Sequence, residues 1–283
     1  MVPSPDDLVA RLRAAGSVFA EDEARLLCES ARSAAELTVM AERRVAGVPL
    51  EVVVGWADFC GRRVIVEPGV FVPRTRSGVL VEEGARLIRP GAVVVDLCCG
   101  SGAVGLALLD VVEGLRMYAS DVDPSAVWCA RRNLEPLGAE VSQGDLFAAL
   151  PRDIKGSVDL LVVNAPYVPT ASIATMPSDA RNHEPSVALD GGPDGLRVHR
   201  RVAAGAGEWL APDGHLIVET SARQAAGTAA AMADRGLVPR VVVASHLDGT
   251  AVVGRLPRGS STGSGSVPAD VSVTPDTMLV CPP

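Results

Sequence analysis

Val93-Val94-Val95-Asp96-Leu97-Cys98-Cys99-Gly100-Ser101-Gly102 decides how this chain is read. Three valines lead into a run of small residues, so a buried strand gives way at once to a tight turn. Small side chains there let backbone N–H groups approach a ligand, and the helix that follows presents free N–H groups of its own. Taken alone, an ordinary tight βα turn explains the stretch equally well.

The residues downstream tilt that balance. Apolar runs at 92–97, 117–121, 139–142, 158–164, 215–219, 238–243 and 251–253 read as strands. Helical spacing fills the intervals near 102–110, 124–135, 195–210 and 222–235. Alternation of this kind predicts an α/β fold, a Rossmann-like open sheet of seven mostly parallel strands with helices on both faces. Ligands bind such sheets at the carboxyl ends of the strands. Asp121 ends the second strand, about 20 residues past the glycine turn, where a carboxylate grips a ribose diol. Asp145 and Leu146 follow the third strand, and Asp145 could accept a proton from an exocyclic amine of adenine. Capping of the helix at Pro124 and a plain turn at Asp145 are the competing explanations. The loop lacks the full G-x-G-x-x-G form, which weakens a dinucleotide reading.

At the fourth strand's end stands Asn164-Ala165-Pro166-Tyr167. The Asn164 side-chain oxygen and the Ala165 carbonyl can each accept a hydrogen from a planar –NH2 group. Together they would turn its nitrogen towards an electrophile, which is catalysis by positioning. Pro166 stiffens the turn, and Tyr167 offers a flat face to an amide or a base.

Outside this sheet the chain changes character. Residues 1–48 read as short helices: Ser4-Pro5-Asp6-Asp7 is an N-terminal signature, and further helices cover 20–31 and about 37–47. Residues 49–78 read as a β-hairpin linker, with β-rich runs at 51–55 and 62–66 about a turn at Gly61. The sheet domain spans 79–255, and the Gly/Ser-rich stretch opening 256–283 reads as a disordered tail.

Composition narrows the function classes. The chain has 283 residues, 48% hydrophobic and 21% charged, enough to bury a core. Its net charge of −8 argues against general nucleic-acid binding. Lys155, the single lysine, precedes Gly156, so no Walker loop exists. Six cysteines show neither CxxC nor Cys/His metal spacing and read as free thiols of a reducing cytoplasm, with no metal site. No apolar run approaches a membrane span. His183, His199, His215 and His246 are scattered and read as surface or structural. Trp128 and Trp209 read as core, and Arg197, Arg200 and Arg201 as a solvated face.

From 43 to 255 the chain resembles the protein-(glutamine-N5) methyltransferases of the HemK/PrmC type. The residues that carry the resemblance are Arg43-Arg-Val-Ala-Gly-Val-Pro-Leu50, Phe59-Cys60-Gly61 and Pro68-Gly-Val-Phe-Val-Pro-Arg74, besides the two loops above. A further specific segment is Glu184-Pro-Ser-Val-Ala-Leu-Asp-Gly-Gly-Pro-Asp-Gly-Leu196. The resemblance implies S-adenosyl-L-methionine as cofactor. Asp96 and Cys98, Cys99, Gly100, Ser101 and Gly102 would lie at its methionine end, Asp121 at the ribose, and Asp145 with Leu146 at the adenine. Asn164, Ala165, Pro166 and Tyr167 would hold the substrate amide, and Asn164 would also border the cofactor. It also implies a cytoplasmic, monomeric enzyme that methylates a glutamine in a release factor or a ribosomal protein. The helical region 1–48 would then dock that protein, without direct nucleic-acid contact.

Three departures keep other readings open. Cys98 and Cys99 replace the family's glycine and threonine, Ala165 replaces a proline, and Ser77-Gly78 replaces Thr-Glu. A non-catalytic S-adenosylmethionine-binding paralogue and an adenine-N6 nucleic-acid methyltransferase are the alternatives.

Overall fold

The computed structural model describes residues 4–176, 183–258 and 281. Ser4 accepts from the Asp7 N–H and Asp7 reaches back, a complete capping box that starts α1 (Pro5–Ala14). Helices α2 (Ala20–Ser30) and α3 (Ala34–Val45) follow, the latter capped by Ser33. Leu8, Leu12, Leu27, Met40 and Val53 meet in a small core of their own. A half-buried ion pair, Arg44 to Glu23 at 2.8 Å, ties α3 to α2.

The β-run expected at 51–55 is instead a helix, α4 (Leu50–Val54). Three valines in a row, Val52 to Val54, do not distinguish strand from helix by period. Pro49 opens the turn, and Gly55, in the left-handed region at φ 86°, closes it. The hairpin is shorter than expected, β1 (Trp56–Phe59) against β2 (Arg62–Ile65). Its two-residue turn places both Cys60 (φ 50°) and Gly61 (φ 72°) in the left-handed region, as a right-twisted hairpin requires.

A second correction concerns the thiols. Cys60 is disulfide-bonded to Cys281, while Cys28, Cys98, Cys99 and Cys129 are free. Spacing could not reveal a pair 221 residues apart, because the fold alone brings them together. The tail expected to be disordered lies outside the described residues, except for 256–258 and Cys281. Cys281 is buried beside the first residue of α5 (Gly78–Leu87), a helix that the apolar pattern did not announce. A Cβ on Gly78 would approach the Cys281 sulfur to 3.0 Å, so glycine makes room for the sulfur.

The main sheet is built from β3 (Val93–Leu97), α6 (Ala103–Val111), β4 (Arg116–Asp121), α7 (Pro124–Leu134), β5 (Glu140–Gln143) and β6 (Val158–Val163). It is completed by α8 (Ser186–Leu189), α9 (Arg197–Trp209), β7 (Leu210–Glu219), α10 (Ala225–Ala233), β8 (Val238–Ala244) and β9 (Gly249–Arg255). The strand order is β5-β4-β3-β6-β7-β9-β8, parallel from β5 to β7, with β9 antiparallel to both its neighbours. Alternate residues of β3 and β6 enter two cores. Val94, Leu160 and Val162 face α5, α6 and α7, whereas Val95, Leu161 and Val163 face α9 and α10. Each fully buried Leu or Val contributes about 2 kcal/mol of transfer free energy, so this centre is rigid.

The order of connection switches between β3 and β6, which themselves run parallel. The sequence runs outward to β4 and β5 on one side, then returns to β6 on the other. This switch point opens the ligand crevice of such sheets. Trp128, expected in the core, is 62% exposed, because α7 buries Ala126, Val127, Cys129 and Ala130 around it. Among the described residues no helix is long and apolar enough to cross a membrane.

The disulfide gives a direct prediction. Thiol titration of the denatured, unreduced chain should find four thiols, the number left free in the structure. Non-reducing peptide mapping should recover the Cys60 and Cys281 peptides joined; six titratable thiols would contradict the pairing.

Candidate active site

The carboxyl ends of β3, β4, β5 and β6 open on a cavity of about 480 Å³. Of the residues expected from the sequence, Asp96, Cys98, Cys99, Gly100, Ser101, Asp121, Asp145, Leu146, Asn164, Ala165, Pro166 and Tyr167 line it. Gly102 stands behind the wall. It closes the turn before α6 at φ 77°, and a Cβ there would meet Leu134 at 2.7 Å.

The β3–α6 loop is held from three sides. Gly100 N–H donates to Asp121 Oδ2 at 2.9 Å, and Cys99 N–H donates to the Ser120 carbonyl at 3.1 Å. Asn133 of α7 donates to the Ser101 carbonyl at 2.8 Å. The same Asn133 side chain also exchanges hydrogen bonds with Ile65 N–H and C=O, so it joins the hairpin to the loop. Cys98 adopts φ 57°, which an L-residue rarely takes and glycine takes freely. Burial pushes both the Cys98 and Cys99 thiols up, so neither is a nucleophile at neutral pH.

Asp121 holds the loop with Oδ2 and accepts from Asp123 N–H with Oδ1 at 2.9 Å. A carboxylate offers about four acceptor sites, so lone pairs remain for a ligand's hydroxyls. Next to it, Ser120 Oγ is buried, lines the cavity and has no hydrogen-bond partner among the described residues. An acceptor-rich carboxylate beside an unsatisfied hydroxyl suits a ribose. Asp145 lines the cavity, and Arg201 takes its Oδ2 at 2.7 Å in a half-exposed ion pair, which leaves acceptor sites on the carboxylate. Arg197 and Arg200 likewise pair, with Asp190 and Asp194.

The β6 exit carries the other half of the site. Asn164 Nδ2 donates to Ser77 Oγ at 3.1 Å, which leaves Oδ1 as its acceptor. Tyr167 donates its hydroxyl to Glu219 Oε1 at 3.0 Å, and Arg76 Nε lies 3.5 Å from the same oxygen. Burial pushes the Tyr167 hydroxyl up to about 12, so it remains a donor. Burial also raises Glu219, against the opposing pull of the Ser77 hydroxyl and the Arg76 charge.

Segment 184–196 packs beneath this exit. Gly191 N–H donates to the Val168 carbonyl and Val168 N–H to the Leu189 carbonyl. Gln224 Nε2 bridges the Tyr167 and Asp194 carbonyls at 2.8 and 3.0 Å. A Cβ on Gly195, at φ 77°, would lie 2.2 Å from the Tyr167 carbonyl oxygen, so no side chain fits. Buried Glu184 pairs with Arg74, whose guanidinium also covers the Phe71 ring.

Sequence reasoning missed Ser77, Asn133, Glu184 and Glu219 as site residues. Glu219 ends the strand beside β6, and a carboxylate closing an apolar run is a signal of the kind that singled out Asp121. Asn133 and Ser77 carry no such signal. His199 is structural: its Nδ1 meets Thr228 at 2.9 Å, and burial pushes it down to about 4.

Gly195→Ala should displace the Tyr167 backbone and destabilise the protein by about 2 kcal/mol or more in a denaturant titration. No change in midpoint would contradict the close approach. Asp96 is fully buried at the end of β3, and burial pushes its pKa up to about 7 despite the Gly105 N–H bond. A carboxyl raised on folding binds its proton more tightly in the folded state. Its contribution to stability is therefore full below the unfolded pKa near 4 and falls as pH rises to about 7. Asp96→Asn should gain melting temperature relative to the parent across that window and level off above it. A pH-independent difference would contradict the assignment.

The pattern of the methyltransferase small domain family matches residues 63–178. The release factor glutamine methyltransferase of Bradyrhizobium diazoefficiens is 34% identical over 241 residues, 79% of this chain and 80% of that one. The 4-amino-L-phenylalanine/4-methylamino-L-phenylalanine methyltransferase of Streptomyces pristinaespiralis is 36% identical over 195 residues, 66% of each chain. Several other release factor glutamine methyltransferases are matched over 64 or 65% of their length, a little under two thirds. In fold the chain is similar to a methyltransferase from Pyrococcus furiosus, with a TM-score of 0.52 at 15% identity over 70% of this chain and 90% of that one. Similarity of this extent to a relative over four fifths of its length means that the chain belongs to the release factor glutamine methyltransferase family.

Proposed function

We propose that the protein methylates the side-chain amide nitrogen of a glutamine in a protein substrate, with S-adenosyl-L-methionine as methyl donor. The observation that carries this reading is the β6 exit, where Asn164 spends its NH2 on Ser77 and keeps its oxygen. A peptide-chain release factor is the first candidate substrate, from the names of the relatives; a ribosomal protein is the second.

When bound, S-adenosylmethionine supplies an electrophilic methyl group. Asp121 and Ser120 would hold its ribose, and the loop from Cys98 to Ser101 its methionine end. The chain's own residues do the rest by positioning. Asn164 Oδ1 and the Ala165 carbonyl each accept one hydrogen of the substrate –NH2 and fix the plane of the amide. Both are preorganised, since Ala165 is buried and Pro166 restricts the turn. Tyr167, held by Glu219, closes one side of the slot. A methylated amide nitrogen is acidic enough to give its surplus proton to water, so no side chain needs to act as a strong base. Such a substrate places the enzyme in the cytoplasm.

A primary aromatic amine is the second acceptor that the site supports. Phe59, Phe71 and Tyr167 line the cavity in a chain with only 3% aromatic residues, and one relative is named for such a substrate.

The test uses methyl-labelled S-adenosylmethionine with a purified release factor, with an extract of cells lacking the enzyme, and with 4-aminophenylalanine. Label mapped by mass spectrometry to a glutamine supports the first reading, and label in the amino acid alone the second. Label that nuclease removes, or no label in any arm, contradicts both. Asn164→Ala should bind the cofactor as the parent does and lose transfer by about a hundredfold or more. Transfer near the parental rate would contradict the amide-positioning role.

A further inference from the structure

We infer that Glu219 and Ser77 are positioning residues which fix the hydrogen-bond polarity of Asn164, so that the active site presents a carbonyl oxygen and not an –NH2 group to its acceptor. The inference rests on the proposed amine-nitrogen chemistry for its meaning, and on the geometry of the β6–β7 strand ends for its argument.

A primary amide such as Asn164 can face a serine hydroxyl in two ways. In one, Nδ2 donates to Ser77 Oγ and Oδ1 is left for the cavity. In the other, Ser77 donates to Oδ1, the amide is turned over, and the cavity meets two N–H donors. An incoming –NH2 group would be held in the first arrangement and repelled in the second. Both orientations fit the same shape, so packing alone does not choose between them.

Glu219 makes the choice. An ionised carboxylate only accepts hydrogen bonds, and this one is surrounded by donors. Tyr167 Oη donates to Oε1 at 3.0 Å and Arg76 Nε stands 3.5 Å away. Ser77 bonds Asn164, which follows Val163 opposite Val218 on the rung before Glu219, and its chain neighbour Arg76 reaches Oε1, so the Ser77 hydroxyl lies beside this carboxylate. Its Oε2 is buried and has no hydrogen-bond partner among the described residues. Ser77 carries one proton, and the unsatisfied carboxylate oxygen is the acceptor that attracts it most strongly. With that proton turned towards Glu219, Ser77 offers Asn164 only lone pairs. Asn164 must then donate, as the 3.1 Å Nδ2–Oγ bond records. One buried charge at the end of β7 thus sets the direction of Asn164 through Ser77 and of Tyr167 directly. Neither Glu219 nor Ser77 needs to touch the reacting atoms for this.

The test reads the Asn164 side-chain NH2 pair by proton–nitrogen NMR of the full chain, the pair being assigned by its loss in Asn164→Ala. Ser77→Ala and Glu219→Gln should each speed hydrogen exchange of that pair by about tenfold or more, whereas Ser77→Thr, which keeps the hydroxyl, should restore protection. S-adenosylmethionine titrations should give the same Kd for all of them within about twofold, because the cofactor loop is held by other residues. With a release factor as substrate, kcat should fall about a hundredfold in Ser77→Ala and recover in Ser77→Thr. Should the parent protein transfer no methyl group to that substrate, the functional reading fails, and the exchange measurement still decides the polarity. Asn164 protons as protected in Ser77→Ala and Glu219→Gln as in the parent would overturn the inference. Ser77→Ala guards against a folding defect caused by the buried Glu219→Gln.

Discussion

Because Leu97 and Val163 face each other on the last rung of the β3–β6 ladder, the loops at Cys98 and Asn164 leave the sheet side by side. Both strands are buried along this register, between two apolar layers, and neither can slip without turning its valines and leucines to the wrong face. The glycine loop and the acceptor loop therefore share one rigid base. β4 adds Asp121 on one flank and β7 adds Glu219 on the other. The active site is in this sense a consequence of strand register. The adjacent ends of β4, β3 and β6 bring Asp121, Asp96 and Asn164 to the cavity, and Glu219 at the end of β7 stands behind Tyr167.

The loops need their own supports, and those come from far away in sequence. Asn133 links the Ser101 carbonyl to the hairpin, so the glycine loop and β2 are held by one amide. Segment 184–196 props the Asn164–Tyr167 exit from below, with Gly195 admitting the Tyr167 carbonyl where any Cβ would collide. This gives a physical reason for the glycine-rich sequence of that segment. The departures at Cys98 and Gly78 also acquire structural meaning. Cys98 keeps the left-handed backbone that glycine would take more easily, and Gly78 leaves the space that Cys281 fills. Neither change removes an atom that the proposed chemistry uses.

Much of this was legible because the decisive signals are local. A strand followed by small residues, a carboxylate at a strand end and the Asn164–Tyr167 run can each be recognised within ten residues. What stayed hidden depends on chain segments meeting. Ser77 becomes part of the site only once α5 lies beside β6, and the Cys60–Cys281 bond only once the hairpin and α5 come together. Asp145 reads as a free acceptor until α9 brings Arg201 across from 56 residues away. The run at 51–55 misled because apolar residues without alternation suit either a strand or one buried helical turn, and flanking Pro49 and Gly55 decided for the helix. Trp128 was misplaced for a related reason. α7 already fills its buried face with small residues, and the large ring is left outside.

In the proposed mechanism Asn164 Oδ1 and the Ala165 carbonyl hold a substrate –NH2 group against the cofactor pocket. A crystal structure with S-adenosylhomocysteine and a glutamine-containing substrate peptide would show this arrangement or its absence. The glutamine side-chain nitrogen should lie within hydrogen-bond distance of both oxygens, with Ser77 still bonded to Asn164 Nδ2 and the ribose on Asp121. A glutamine nitrogen bonded to neither oxygen, or a ribose away from Asp121, would contradict it.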